Sequence, residues 1–309
     1  MKWFDAAATA AALPFEALVP ALREMFVQGC EVPPRQVLTI ESPGGPALTS
    51  LVMPAWQPGR YYGLKCINVA PGNAARGLPG LHASYLLHDA ATGVPLALID
   101  GSELTNRRTA AASALAASWL ARADARQLLV VGAGRVAALL PAAYRAVRPI
   151  ARVTVWARRY AAAEALAADW RAQGFDAAAA PDLAAAVAAA DIVSCATLAT
   201  EPLVQGRWLR PGSHLDLIGS FTPAMREADD DAFRGAAIFV DTDEALVKSG
   251  ELLGPMGRGV FAAPDVRGTL AALCRGTAHG RRSPDERTVF KSVGSALEDL
   301  AAAIQVWQH

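Results

Sequence analysis

The chain has 309 residues, which at about 150 residues per domain suits two compact units. It carries 29 Lys and Arg and 29 Asp and Glu, and this zero net charge argues against a nucleic-acid partner, which would normally demand an excess of positive charge. Hydrophobic residues make up 53% of the chain and charged residues 19%, which excludes bulk disorder, and no run approaches the roughly 20 apolar residues that span a bilayer, so no membrane partner is expected.

Strand signals dominate the first third of the chain. An amphipathic helix over 15–28 comes first and is typical of folded protein rather than of a secretory signal. Short apolar runs, each bounded by Gly, Pro, Asn or Asp, follow at 37–42, 48–56, 63–70, 82–89 and 95–101. Because tight connections join strands that are close in sequence, a largely antiparallel sheet is predicted.

After Ser102 the pattern changes to a helix and then to strand–helix alternation. Apolar strands are predicted at 128–134, 153–158, 191–197, 213–219 and 236–243, with alanine-rich helices over 135–147, 160–173 and 182–190. This alternation indicates a parallel, doubly wound sheet. The last segment, ERTVFKSVGSALEDLAAAIQVW, is predicted to be one long amphipathic helix that packs back on the first domain. The predicted fold class is α/β, with a Rossmann domain at 122–285 and a second, α+β domain made of 1–121 and 286–309.

A glycine motif predicts a dinucleotide site in the Rossmann domain. Gly132, Gly134 and Ala137 stand in the order G-x-G-x-x-A directly after a strand and at the start of a helix. The small residues allow a tight turn, close approach of the backbone to a pyrophosphate and close helix–strand packing. The helix N-terminus, which begins with Arg135 and Val136, presents free N–H groups and the positive end of its dipole to the diphosphate.

The end of the second Rossmann strand indicates which dinucleotide binds. An NAD enzyme usually places Asp or Glu about 20 residues after the glycine motif, to hold the ribose 2′-hydroxyl. This chain has Ala157, Arg158 and Arg159 there, and a guanidinium suits a 2′-phosphate that an acid would repel. NADPH is therefore the expected cofactor, with NADH as the alternative if the arginines instead cover the adenine or lie in water.

Two cations stand in apolar surroundings. Positions 108, 112, 115 and 119 share a helix face and are Arg, Ala, Leu and Trp, so Arg108, and not Arg107, heads the apolar stripe. Lys65 lies in a strand whose two faces are both largely apolar, so we expect it to be enclosed. For Arg108 a substrate carboxylate and an internal Asp or Glu are equally open as partners. Lys65 either pairs with an anion, transfers protons at a lowered pKa, or protects an edge strand.

Two loops follow strands of the parallel sheet at their carboxyl ends, where doubly wound folds bind ligands. The first loop is expected to contact the cofactor through Ala196, Thr197, Leu198 and Thr200. The second is expected to bring Ser220 to cofactor and substrate, and Phe221 and Thr222 to the substrate. His82 is a further candidate for lining the cleft, although a single histidine is usually structural.

The remaining polar residues are assigned structural roles. Asp216 falls inside its strand, and Asp229, Asp230 and Asp231 are expected to begin a helix at its positive end. The four cysteines form no CxxC pair and the five histidines form no cluster, so no metal site and no Cys-His or Ser-His-Asp centre is expected. Scattered thiols of this kind suit a cytoplasmic protein.

Taken together, these segments resemble the ornithine cyclodeaminase/mu-crystallin family across nearly the whole chain. The resemblance rests on GLKCINVAPGN, HDAATGVPLALIDGSELTNRRTAAASALAASWL, VVGAG, SCATLATEPLV, RPGSHLDLIGSFTPAMREADDDAF and TVFKSVGSALEDLAAA. It implies that Arg108 binds the substrate carboxylate, that Lys65 is the active-site lysine and that Val293 adds a substrate contact. It also implies a homodimer built through the antiparallel domain, which would bind substrate.

One departure from the family pattern separates its branches. Cyclodeaminases of this family resemble one another in a G-G-D-C-P-type loop whose aspartate activates water to hydrolyse an imine. This chain has Phe221 at that place, in Gly219–Pro223, and phenylalanine cannot accept a proton. The following P-x-x-R-E-x-D-D is more similar to the mu-crystallin branch, which reduces cyclic ketimines.

The expected function is therefore NADPH-dependent reduction of 1-pyrroline-2-carboxylate or 1-piperideine-2-carboxylate to proline or pipecolate. Lys65 and Arg108 would hold the carboxylate and orient the C=N carbon to the nicotinamide, and Lys65, or less favourably Thr222, would supply the proton. Ornithine cyclodeaminase, alanine dehydrogenase and a non-catalytic NADPH-binding protein stay open as alternatives.

Overall fold

The structure is a computed structural model that describes residues 1–43 and 45–309, without the side chain of Ala74. It divides into two compact units, Met1–Arg108 with Ser295–His309, and Thr109–Gly294. The sequence predicts these bounds at 121/122 and 285/286. In the structure the chain instead passes between the units at Arg108, inside a helix, and at Gly294, after a strand of the parallel sheet. No helix of the described residues combines the length and the apolar character needed to cross a membrane.

Within its described residues, the first unit holds a six-stranded sheet in the order β1-β6-β5-β4-β3-β2. Its strands are β1 (Lys2–Phe4), β2 (Gln36–Ile40), β3 (Leu48–Gln57), β4 (Tyr61–Val69), β5 (Leu81–Asp89) and β6 (Pro95–Asp100). The pairings from β2 to β6 are antiparallel, which confirms the predicted sheet. The sequence did not reveal β1, which pairs in parallel with β6, because three residues are too few for a periodic signal.

Parallel strands alone make up the sheet of the second unit, in the order β13-β12-β14-β11-β10-β7-β8-β9 over the part of the chain that the structure describes. They are β7 (Gln127–Val131), β8 (Arg152–Trp156), β9 (Asp176–Ala179), β10 (Ile192–Cys195), β11 (His214–Leu217), β12 (Ala237–Val240), β13 (Val266–Thr269) and β14 (Thr288–Lys291). Chain order reverses between β7 and β10, and such a reversal is where doubly wound sheets bind ligands. The Rossmann-type fold is confirmed.

Helices flank both sheets. The described residues contain α1 (Ala6–Ala12), α2 (Phe15–Gln28), α3 (Gly101–Leu120), α4 (Arg135–Arg145), α5 (Tyr160–Ala172), α6 (Leu183–Ala189), α7 (Ala245–Lys248), α8 (Gly250–Gly257), α9 (Leu270–Cys274) and α10 (Ala296–Gln308). Several begin at a side chain that accepts from the first turn, as Asp5 does from Ala8 N and Asp182 from Ala184 N. In the first unit α10 packs against α2 and the antiparallel sheet.

The prediction of one long helix at the C-terminus is wrong. Its first part forms β14, a completely buried strand that pairs with β11 and β12, because threonine, valine and phenylalanine pack well in the middle of a sheet. Gly294 then adopts a φ of +76°, and Ser295 accepts a hydrogen bond from Leu297 N and begins α10. Residues 286–294 therefore belong to the second unit, and from Ser295 onward, with α10, the chain belongs to the first unit.

Candidate functional site

The glycine motif forms the turn between β7 and α4. Gly132 has a φ of +121°, and a Cβ there would come within 2.5 Å of the Ala196 carbonyl oxygen. At Gly134, which precedes α4, a Cβ would meet no atom of the described residues within 4 Å. The turn is therefore closed on the protein side at Gly132 and open at the N-terminus of α4, as close approach of a diphosphate requires.

A cavity of about 950 Å³ opens at this turn. Most of the residues predicted to bind the cofactor line it, namely Gly132, Gly134, Ala157, Arg158, Arg159, Ala196, Thr197, Leu198 and Thr200. Arg135, Val136, Ala137 and Ser220 do not: Ala137 is a buried residue of α4, and the Ser220 hydroxyl donates to the Met225 carbonyl oxygen at 2.5 Å. The size of the cavity and its glycine-rich mouth fit a dinucleotide.

Positive charge lies at the end of β8, where an NAD enzyme usually has an acid. Arg158 and Arg159 follow the strand after one intervening residue, Ala157, are both exposed, and line the cavity. Glu201 is the one acidic side chain among the described residues that line the cavity, and it follows β10 rather than β8. The side of the cavity at β8 is therefore suited to an anionic group.

In the first unit, Lys65 and Arg108 meet two acids of α10. Lys65 Nζ on β4 lies 2.5 Å from Asp299 Oδ2, and Arg108 Nε on α3 donates to Asp299 Oδ1 at 2.8 Å. Arg108 Nη1 donates to Glu298 Oε2 at 2.5 Å. Lys65, Glu298 and Asp299 are completely buried, and Arg108 keeps 6% of its surface exposed. We call these four residues the charge cluster.

Charges within the cluster shift one another's pKa values. Burial lowers the pKa of Lys65 to about 8, against the raising effect of Asp299, and the neighbouring Arg108 lowers it further. Burial would raise the pKa of Asp299, but the charges of Arg108 and Lys65 bring it below its ordinary value. Both acids also lie in the first turn of α10, where the helix dipole favours negative charge.

The structure thus supplies the internal acids that the sequence left open as partners of the two cations. Asp299 and Glu298 balance the charges of Lys65 and Arg108, so the cluster carries no net charge when all four groups are ionised. Lys65 has three N–H donors, and among the described residues its one ion-pair partner is Asp299. The ammonium group therefore keeps donors for a ligand. A zwitterion suits such a cluster better than a bare anion does.

Other predicted site residues lie elsewhere in the two units. His82 is exposed on β5, opposite Asn68 of β4. In the second unit, Phe221 is 51% exposed and Thr222 is half-buried, with its carbonyl oxygen accepting from Gly250 N at 3.0 Å. Val293 is half-buried, and its N–H donates to Asp241 Oδ2 at 2.7 Å.

Sequence reasoning missed three acids that organise these sites. Glu298 and Asp299 interrupt an otherwise apolar helix, and two acids at the start of such a helix were the available signal. Glu227, the glutamate of the P-x-x-R-E-x-D-D motif, is completely buried, and its carboxylate accepts from the backbone N–H groups of Thr197 and Gly219 in two loops. Asp216 has the structural role expected of it, accepting from Ser113, Tyr144 and Ser194.

Known proteins resemble this chain along nearly its full length. A model of the ornithine cyclodeaminase/mu-crystallin family matches residues 13–309. The chain is 47% identical over 282 residues to a Delta(1)-pyrroline-2-carboxylate reductase of Paracoccus denitrificans, covering 91% of this chain and 89% of that protein. A Thermococcus litoralis Delta(1)-pyrroline-2-carboxylate reductase, solved with NADH and L-proline, has a TM-score of 0.92 at 30% identity, covering 100% of this chain and 97% of that one. An archaeal alanine dehydrogenase dimer with bound NAD has a TM-score of 0.91 at 30% identity, with coverage of 100% and 95%.

Proposed function

The chain belongs to the ornithine cyclodeaminase/mu-crystallin family, and we propose that it is an NADPH-dependent reductase of small cyclic ketimine carboxylates. The substrates would be 1-pyrroline-2-carboxylate or 1-piperideine-2-carboxylate, and the products proline or pipecolate. Phe221 is the observation that favours reduction over cyclodeamination, because it stands where the family's cyclodeaminases have their water-activating aspartate. The reductase relatives support an enzyme rather than a non-catalytic NADPH-binding protein.

The charge cluster suits this class of substrate. A cyclic ketimine carboxylate carries one negative charge, and it gains a positive charge when its ring nitrogen is protonated, so it needs both the cations and the acids of the cluster. Arg108 is the member with exposed surface, and its guanidinium offers a planar fork of donors to the carboxylate. Lys65, with its pKa near 8, transfers a proton to the ring nitrogen, and Asp299 stabilises the iminium charge that results.

A bound dinucleotide supplies the hydride that reduces the C=N carbon. The residues of this chain hold it: the Gly132–Gly134 turn takes the diphosphate, and the loop from Ala196 to Thr200 forms a wall of the cavity. Arg158 and Arg159 bind the 2′-phosphate, which favours NADPH over NADH. Thr222 is a second candidate proton source, since its side chain carries a hydroxyl close to Phe221 in the same loop.

The test is steady-state oxidation of NADPH and of NADH with each of the two cyclic imines. We expect turnover with at least one imine and a higher kcat/KM with NADPH; absence of turnover with both would refute the function. Replacing both arginines, in R158A/R159A, is expected to lower the preference for NADPH about tenfold or more, since a charge-assisted hydrogen bond contributes about 1.5–3 kcal/mol. Arg152 begins β8 at its opposite end and pairs with Asp176, so R152A is the matched control and is expected to leave the preference unchanged.

Alanine dehydrogenase is the second candidate, favoured by the archaeal neighbour with bound NAD. Its intermediate is an open-chain imine that needs the same hydride and carboxylate contacts. NAD⁺ reduction with L-alanine would support it, and ammonia release from ornithine without net change in the cofactor would instead support a cyclodeaminase.

We also propose that the first unit is the substrate-binding and dimerisation domain. All residues of the edge strand β2 are exposed, including Val37 at 61%, Leu38 at 47% and Ile40 at 50%. An exposed apolar edge strand invites pairing with another chain, and a second copy offers the same edge. A homodimer in light scattering, converted to monomer by V37K/I40K, would support this; a wild-type monomer would refute it. The scattered positions of the cysteines, with no CxxC pair in the sequence, suit a cytoplasmic location.

A further inference from the structure

Glu227 is a completely buried acid of the second unit that the proposed reaction does not use. It lies in the segment of sequence that connects β11 to β12, and both its backbone N–H and its carbonyl oxygen are hydrogen-bonded. Its N–H donates to Glu251 Oε2 at 2.7 Å, and its carbonyl oxygen accepts from Leu203 N and Val204 N, each at 2.9 Å. The side chain is therefore presented from a fixed backbone.

The carboxylate of Glu227 joins two loops that follow neighbouring parallel strands. Oε1 accepts from Thr197 N at 2.7 Å and from Thr197 Oγ1 at 2.8 Å, in the loop after β10. Oε2 accepts from Gly219 N at 2.7 Å, in the loop after β11. One side chain thus sets the separation of the loop that lines the cavity and the loop that carries Phe221.

The Thr197 loop packs closely against the glycine turn, so a movement of one affects the other. A Cβ on Gly219 would lie 1.8 Å from the Thr197 carbonyl oxygen and 2.5 Å from Glu227 Oε1, so these segments touch without room for a side chain. A Cβ on Gly132 would lie 2.5 Å from the Ala196 carbonyl oxygen and 3.3 Å from Thr197 Cγ2. A shift of the Thr197 loop would therefore change the wall of the cavity where Gly132 lies.

Thr197 N, Thr197 Oγ1 and Gly219 N all donate to the Glu227 carboxylate. A side chain with two acceptor oxygens therefore satisfies all three donors. Burial raises the pKa of Glu227, and the charge of Lys291 opposes that effect. Lys291 is itself completely buried at the end of β14, where Nζ donates to the Leu217 carbonyl oxygen at 2.8 Å. An amide in place of the carboxylate would direct an N–H group at a backbone N–H and break the arrangement on one side.

We propose that Glu227 is a positioning residue of the cofactor cavity, which fixes the Thr197 and Gly219 loops and thereby sets the affinity for the dinucleotide. This inference rests on the dinucleotide binding proposed above. It does not depend on which imine is reduced, because every contact that carries it lies within the second unit.

The test compares Glu227→Gln with Glu251→Gln. Glu251 is equally buried, but its oxygens accept from Glu227 N and Ala228 N and do not contact Thr197 or Gly219. Both variants are expected to lower the Tm. E227Q is expected to raise the Kd for NADPH and NADH by about tenfold in fluorescence titration, as loss of one buried hydrogen bond implies. E251Q is expected to raise it much less, because the Glu227 carbonyl oxygen still accepts from Leu203 N and Val204 N and the Glu227 carboxylate is unchanged.

Hydrogen–deuterium exchange of the free protein gives a second readout that does not require the cofactor. E227Q is expected to speed exchange in peptides covering 196–200 and 219–222, and E251Q is expected to do so much less. If E227Q fails to fold, Glu227→Asp decides the question, since it keeps the charge but is too short to reach both loops. Equal Kd values in wild type and E227Q, or equal changes in E227Q and E251Q, would overturn the inference. A wild-type protein that binds neither dinucleotide would instead refute the proposed function.

Discussion

Lys65 Nζ lies 2.5 Å from Asp299 Oδ2, and both side chains are completely buried. A buried ion pair adds little to stability when it replaces well-packed apolar residues, but removing one partner leaves an uncompensated charge and costs about 3–5 kcal/mol. The pair also tunes the lysine: without Asp299, burial and the charge of Arg108 would lower the pKa of Lys65 below its present value of about 8.

The first prediction concerns the pH dependence of imine reduction. If Lys65 gives the proton, its protonated form is required, and kcat/KM falls as pH rises through about 8. Asp299→Asn removes the charge that raises the pKa of Lys65, so the alkaline limb of the profile is expected to move down by about one unit or more, with loss of stability. Profiles of kcat/KM against pH, together with denaturant unfolding, measure both effects.

Glu298→Gln is the control for this prediction. Glu298 accepts from Arg108 and makes no hydrogen bond to Lys65, so E298Q is expected to destabilise the protein while moving the alkaline limb much less. The same profile in wild type and D299N would show that Lys65 is not the proton source.

The second prediction separates two adjacent arginines of α3. Arg108→Lys keeps a positive charge beside Asp299 but removes the planar fork, so we expect KM for the imine carboxylate to rise about tenfold or more. Arg107 is the matched control: it pairs with Glu103 one turn away and donates to the Leu13 carbonyl oxygen at 3.1 Å, outside the charge cluster. Steady-state kinetics of R108K and R107K measure the difference, and an equal effect of both would contradict carboxylate binding by Arg108.

Features that depend on neighbouring residues could be predicted from the sequence, and contacts between residues far apart in sequence could not. The burial of Arg108 and Lys65 follows from helix and strand periods within a few residues, so it was predictable. Their partners were not, because Glu298 lies 190 residues from Arg108 in sequence and nothing in the periodicity links α10 to α3. The choice left open between an internal acid and a substrate carboxylate was therefore a matter of tertiary structure.

The same distinction applies to the Rossmann domain. The glycine turn and the arginines after β8 are read from contiguous residues, and the cavity brings most of them together. The insertion of β14 between β11 and β12 depends on pairing across the sheet, and its apolar residues suit a buried helix equally well. Glu227 was overlooked for the same reason, since its bonds reach back to Thr197.

A third prediction uses the open space at Gly134. Because a Cβ there meets no described protein atom within 4 Å, Gly134→Ala is expected to leave the Tm nearly unchanged. The added methyl would occupy the approach to the N-terminus of α4, so the Kd for NADPH is expected to rise about tenfold or more. Gly257→Ala, at the end of α8 and also in open space, is the control and should leave both quantities near wild type. A wild-type Kd in G134A would place the diphosphate elsewhere.

The fourth prediction concerns acid stability and His214. This residue is completely buried on β11, where Nδ1 lies 2.9 Å from Thr288 Oγ1. Burial, reinforced by the charges of Arg281 and Arg148, lowers the pKa of His214 from 6.5 to about 3. Below pH 6.5 the unfolded chain therefore takes up a proton that the folded chain refuses, so falling pH destabilises the fold.

The size of this effect follows from the difference between the two pKa values. Between pH 7 and pH 5 it amounts to about 2 kcal/mol, which wild type should lose and His214→Gln should not. Comparing the two proteins removes the contribution of acids such as Asp216, whose burial raises its pKa and acts in the opposite sense in both. The free energy of unfolding in urea at pH 7 and pH 5 measures the difference, with His279→Gln as a control because His279 is exposed. Parallel losses in wild type and H214Q would mean that His214 is protonated in the folded protein despite its burial.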